Sequence, residues 1–247
     1  MARNFKAILQ YEGTRYQGWQ KQTSTENTIQ GKLEALLSRM SGEAVEVHAS
    51  GRTDAGVHAY GQVISFFCHT GKTPEEIREY MNRYLPEDIG ILEVKEAGER
   101  FHARLNARGK VYRYRVLNSS IPHIFERRYV AVYPEELEEE AVRQAMGRLV
   151  GTHDFKAFTS KKNSKKSTLR TIHDIQLKRI GQEWQFTFRG DGFLYHMVRI
   201  MMGTLLEIGS GKRSLESIDE AFETGERKKA GFLAPPQGLA LMEVFYH

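Results

Sequence analysis

RTIHDIQLKRI (170–180) and EWQFTFRG (183–190) are two strand-like runs separated by Gly181-Gln182, a two-residue connection of the kind that closes a tight β-hairpin. A helix is predicted on either side of this hairpin. The earlier one starts at Pro134, and Glu135, Glu136, Glu138, Glu139 and Glu140 suit the positive end of its macrodipole. Leu137, Ala141, Ala145 and Leu149 form its apolar face, and Gly151 marks its end. The later one runs from about Tyr195 to Ile208, with a shorter helix near 214–223. Beyond the helices lie two further strands, KVYRYRVL (110–117) and LALMEVFY (239–246). The order is β-α-β-β-α-β.

The first hundred residues repeat that order. In FKAILQY (5–11), Phe5, Ala7, Leu9 and Tyr11 alternate with Lys6, Ile8 and Gln10. Asn27 is the expected cap of a helix whose face is Ile29, Leu33, Leu36, Leu37 and Met40, closed by Ser41-Gly42. VEVHAS (45–50) and QVISFFC (62–68) read as strands. Thr73-Pro74-Glu75-Glu76 is a capping box with proline at the first helical position, followed by Ile77, Tyr80, Met81, Tyr84 and Leu85 at helical spacing. IGILEVKEA (89–97) is the last strand of this half.

Two successive β-α-β-β-α-β units predict an α+β protein of two ferredoxin-like halves, 1–103 and 104–247, with adjoining antiparallel sheets and a central cleft. The chain has 247 residues, with 40% hydrophobic, 27% charged and 11% aromatic, which supports a packed core and argues against disorder. Cys68 is the single cysteine, so internal disulfides and cysteine-rich zinc sites are excluded. Its place in VISFFC predicts a buried, inert thiol. The first residues lack the apolar stretch of a signal peptide, and the longest apolar segment, 193–208, is interrupted by Arg199 and Glu207. A reducing cytoplasm is the expected compartment.

Charge is unevenly spread. The total is 36 − 31 = +5, and residues 101–133 hold seven Arg or Lys against the one acid Glu126. A polyanionic partner is therefore expected to meet the second half first. Two further basic clusters, the lysines of 161–167 and Arg227-Lys228-Lys229, read equally as RNA contacts or as solvated charge.

Three places carry candidate chemistry. SGRTDAGVHA (50–59) brackets Arg52, Thr53 and Asp54 between Gly51 and Gly56. An Asx turn would explain it; so would a carboxylate on a loop that another chain can approach closely. The helix around Arg199 is apolar nearly all round, so its guanidinium either emerges at a surface or needs an anion, for which Asp54 is a candidate. KVYRYRV puts Tyr112 and Tyr114 on one face of a strand and Arg113 and Arg115 on the other: one tyrosine for the core, and an exposed one as a platform for a base. GSGKRS (209–214) is no P-loop, because Arg213 and Leu206 stand where Ser or Thr and the first Gly belong. The nine histidines show no metal-ligand spacing.

GRTDAGVHA (51–59), FHAR (101–104) with KVYRYRVLN (110–118), FLYHMVRIMMGTLLEIG (193–209) and APPQGLALMEVFY (234–246), in this order, resemble the tRNA pseudouridine synthase A family. The opening FKAILQYEGTRYQGWQ (5–20) is similar as well. The resemblance implies an isomerase that converts uridine to pseudouridine at positions 38, 39 and 40 of the tRNA anticodon stem-loop, without metal or other cofactor, as a homodimer. It implies that Asp54 is the essential aspartate, Tyr112 the active-site tyrosine, Arg199 the aspartate's partner and Arg52 an aid to base flipping. Two other readings stand beside it. A non-catalytic RNA-binding factor shares the basic second half but leaves Asp54 without a purpose. A glycosylase acting at an anomeric carbon would want a second carboxylate, and none accompanies the motif.

Overall fold

In the computed structural model the described residues are 2–161 and 167–246. The protein is α+β with mostly antiparallel strands, and it divides into two compact units. The first comprises Met1–Arg108 with Ala240–His247, and the second Gly109–Leu239. The junction thus falls a few residues after 103, and the closing strand, expected with the second half, lies in the first unit. Ala240 and Leu241 pair in parallel with His58 and Ala59, and Arg108 N donates to Phe245 O at 2.8 Å.

The first unit contains β1 (Arg3–Tyr11), α1 (Ile29–Ser41), β2 (His48–Ala49), β3 (His58–Cys68), α2 (Pro74–Tyr84) and β4 (Ile89–Glu96). Strand β1 lies antiparallel between β4 and β3, and β2 is antiparallel to β3. The alternation read in 5–11 is the burial pattern observed, with Phe5, Ala7, Leu9 and Tyr11 in the core. The capping box at Thr73 forms with Glu76 as its third residue. The cap of α1 is Thr28, not Asn27: Thr28 Oγ1 accepts from Gly31 N, while the Asn27 amide is drawn back to the Arg15 carbonyl. Only His48 and Ala49 of VEVHAS join the sheet. Val45 N donates to Ser38 Oγ and Val47 N to Glu34 Oε1, so side chains of α1 take the bonds a neighbouring strand would have taken. Cys68 is buried, which pushes its thiol upward.

In the second unit β5 (Gly109–Asn118) pairs with β9 (Glu183–Gly190), which pairs with β8 (Leu169–Ile180). The 181–182 turn between β8 and β9 is as expected. Two short strands were not legible: β6 (Ala131–Tyr133), parallel to β5, and β7 (Gly151–Asp154), antiparallel to β8. Helix α3 (Glu139–Leu149) begins a turn later than Pro134. Asn118 Nδ2 donates to the carbonyls of Tyr133 and Glu135, which keeps that segment out of the helix, and the Glu138 carboxylate then caps the first turn. Helix α4 (Met197–Gly209) is buried all round except at Glu207, which pairs with Arg213 at 2.7 Å; α5 (Ser217–Thr224) follows.

Candidate active site

The loop carrying Asp54 runs between β2 and β3 and is tied down on both sides. Ser50 N donates to Val63 O at 2.8 Å, and Gln62 Nε2 donates to Gly51 O at 2.9 Å. The Tyr11 and Thr53 hydroxyls are 2.8 Å apart, Trp19 N donates to Thr53 O at 3.0 Å, and Val57 N donates to Asp54 O at 3.2 Å. The residue before Asp54 is therefore held by buried groups, and the Asp54 carbonyl itself is tied to Val57. Burial pushes the Tyr11 phenol up to about 12, so it stays a neutral hydroxyl at physiological pH. Asp54 is half-buried on this rigid loop, and the Arg52 side chain is exposed.

Gly18 makes the tight seating possible. Its φ is +90°, and a Cβ there would stand 3.0 Å from Thr53 O and 3.1 Å from Ala55 N. The segment YQGWQ (16–20) is thus the floor under the aspartate loop. The similarity of 5–20 to the family's opening segment is the one signal of this role in the sequence.

Tyr112 and Arg199 are both in the second unit. Tyr112 is not an exposed platform: only 7% of it is accessible, and it meets the Phe193 ring edge-on at 5.1 Å. Tyr114 is the core tyrosine, fully buried, with its hydroxyl donating to Pro235 O at 2.7 Å. Burial raises its phenol far above the usual range, and the nearby charge of Arg199 opposes that rise. Arg199 is 8% exposed, and its Nε donates to Ala234 O at 2.7 Å while Ala234 N donates to Arg199 O at 3.1 Å. The snorkelling alternative fails, because the guanidinium is anchored inside.

Residues 230–238 can reach α4 because Gly203 has no side chain: a Cβ there would sit 1.9 Å from Phe232 O. Just before α4, His196 has φ +66°, the one positive value outside glycine among the described residues. Its Nδ1 lies 2.8 Å from Ser160 Oγ, and its ring stacks on Tyr195 at 3.7 Å. A strained residue one turn before Arg199 was invisible in the sequence.

Not every basic residue faces outward. Arg115 makes two bonds to Glu183, at 2.7 and 2.8 Å, and one to Glu126 at 3.1 Å, which hold the Glu183 carboxyl below its usual range. Arg227 donates to Gly231 O, Lys228 pairs with Glu226 and Lys229 with Glu220. In the lysine-rich segment, residues 162–166 lie outside the described residues. Among the described residues no cluster of three or more His, Cys, Asp or Glu is arranged to hold a metal ion, and no helix is long and apolar enough to cross a membrane.

The family model described as tRNA pseudouridine synthase matches residues 7–106 and 145–247. Arg52 and Asp54 fall in the first stretch and Arg199 in the second, with Tyr112 between them. The chain is 46% identical to tRNA pseudouridine synthase A of Geobacillus sp. (strain WCH70), over 100% of this chain and 99% of that protein. It is 44% identical to that of Bacillus sp. (strain KSM-64), over 96% and 97%, and 43% identical to that of Acetivibrio thermocellus, over 99% and 100%. A solved structure titled "Crystal Structure of a Cbf5-Nop10-Gar1 Complex" aligns at a TM-score of 0.36 and 14% identity, over 86% of this chain and 44% of that one, a likeness too weak to carry an argument.

Proposed function

The chain belongs to the tRNA pseudouridine synthase family and is an isomerase that makes pseudouridine in tRNA, and from that premise we propose that Asp54 is its essential carboxylate. The supporting observation is the clamp on its backbone: Thr53 and Val57 are tied to Tyr11, Trp19 and Asp54 itself, which aims one half-buried carboxylate from a fixed loop.

The reaction breaks the N1–C1′ bond, turns the uracil over and joins C5 to C1′; the C5 proton leaves and N1 ends protonated, so no atom is gained or lost. An ionised Asp54 serves either by attacking C1′ or by removing the 2′ proton. Both routes need the carboxylate aimed at the ribose, and the proposed role of Arg199 is to hold it there. Tyr112 stacks on the detached uracil and takes the C5 proton. Flipping the uridine costs a few kcal/mol, and the exposed Arg52 helps by filling the space left behind. The basic second half supplies the backbone affinity.

The reading extends to uridines 38, 39 and 40 of the anticodon stem-loop and to a homodimer, as the family resemblance implies, and to the cytoplasm, as the single cysteine suggests. It also takes the halves as ferredoxin-like, supported in the first unit by the antiparallel order β4-β1-β3-β2. The deciding experiment is a chemical map of pseudouridine in tRNA treated with the purified protein and with Asp54→Ala. The wild type should modify 38–40; the variant should modify nothing while its tRNA affinity changes little. Tritium release from 5-tritiated uridine follows the same reaction. Turnover by the variant, or free uracil among the products, would overturn the assignment.

A further inference from the structure

Between β5 and β6 the chain makes an excursion, 119–130, that the reaction described above does not use. Its tip carries Ile121 at 74%, Ile124 at 57% and Phe125 at 90% exposure. Phe125 is the most exposed large apolar side chain among the described residues. Three such side chains together are more than the scattered apolar exposure of an ordinary surface.

The tip has a definite shape. Glu126 N donates to His123 O, Tyr129 N and Val130 N both donate to Glu126 O, and Arg127 Nη1 donates to Ile124 O at 2.8 Å. The loop's one carboxylate, Glu126, is turned back 3.1 Å from Arg115 on β5. What the tip presents is therefore an aromatic ring and two isoleucines beside three exposed basic residues, His123, Arg127 and Arg128.

That composition discriminates between occupants. A second copy docking the same patch on itself would offer Arg127 and Arg128 no carboxylate, because Glu126 is turned back to Arg115. An unpaired nucleotide satisfies both halves of the surface, its base on the apolar face and its phosphate on the arginines. We propose that residues 121–128 are a second tRNA-binding element, a stacking platform for an unpaired base other than the reacting uridine. Glu126 ties the tip to Arg115, three residues along β5 from Tyr112 and on the opposite face of the strand. The platform is therefore distinct from the tyrosine assigned to the reacting uridine. The inference rests on tRNA being the substrate.

The test uses the full chain and an unmodified tRNA transcript, with Kd, KM and kcat measured for wild type, Phe125→Ala and Phe125→Trp, and sedimentation measured without RNA. Phe125→Ala should raise Kd and KM about tenfold, within the range for losing one base–aromatic stack. The loss should fall on KM rather than kcat, and Phe125→Trp should restore affinity. Arg127→Ala should weaken binding and reduce its salt dependence. Phe125 is nearly all in solvent, so equal melting temperatures are expected and check the fold. Wild-type affinity in both Phe125→Ala and Arg127→Ala overturns the proposal. So does a smaller sedimenting species for Phe125→Ala, which would make this face a contact between copies. Wild-type turnover is followed in parallel: a defect confined to the variants concerns the platform, whereas a wild type unable to bind tRNA would sink the function beneath it as well.

Discussion

Arg199 and Tyr114 donate to consecutive backbone carbonyls, Ala234 and Pro235, each at 2.7 Å. The Ala234 amide returns a bond to the Arg199 carbonyl at 3.1 Å, so helix and loop hold each other. Pro235 and Pro236 have restricted φ, which makes the loop a stiff fixture. The Nε edge of the guanidinium is thereby fixed by main chain.

The two tyrosines of β5 should therefore separate stability from turnover. Tyr114→Phe leaves the Pro235 carbonyl without its donor and should cost about 1–2 kcal/mol, measured by urea unfolding. Its turnover should fall only modestly. Tyr112→Phe should lower pseudouridine formation by about 100-fold, the lower end for losing a proton acceptor. Equal turnover losses would contradict the split.

Arg199→Lys keeps the charge but loses the Nε that meets Ala234 O. A lysine is a point charge with no planar fork, so it cannot reproduce the geometry. Turnover should drop about 100-fold through misplacement of the reacting groups, with the fold retained. Near-normal activity in this variant would mean that charge alone matters at this position.

Two glycines in helices should behave oppositely. Gly203→Ala drives a Cβ to within 1.9 Å of Phe232 O, and backbone on both sides has to move. The expected cost is about 3 kcal/mol or more, with partial detachment of the 230–238 segment. Gly147→Ala on the exposed side of α3 meets nothing within 4 Å and should stabilise by about 0.5–1 kcal/mol. Thermal melts of the pair report both signs.

High pH should attack the floor of the aspartate loop. Tyr11 loses its proton near 10 when unfolded and near 12 when folded. Its contribution is intact below pH 10. Between 10 and 12 the unfolded chain has shed a proton that the folded chain still holds, so rising pH favours unfolding, by about 2–3 kcal/mol in all. Tyr11→Phe should show a stability decline across pH 10–12 that is shallower by one proton. An unchanged slope in urea melts taken across that range would show that Tyr11 does not titrate there.

Much of this architecture was legible because it is local. The period-2 run at 5–11, the box at Thr73, the two-residue turn at 181–182 and the all-apolar surface of α4 need only neighbouring residues to be read. The late start of α3 was not legible, because Asn118, about twenty residues earlier, supplies the bonds that keep 133–135 extended. The truncation of VEVHAS has the same origin in Ser38 and Glu34 of α1. Strands as short as β6 and β7 carry too few residues for a period to show.

For the candidate site, residue types and motif order were enough to single out Arg52, Asp54, Tyr112 and Arg199 and to point to the chemistry. That both tyrosines of β5 are buried, what anchors Arg199, which arginines are already spent on internal carboxylates and why Gly18 and Gly203 must be glycine emerge only from the folded chain. Motifs are written in side-chain identity along the chain. Anchoring and close approach are made by backbone groups that every residue shares, so their partners are chosen when distant segments meet in space.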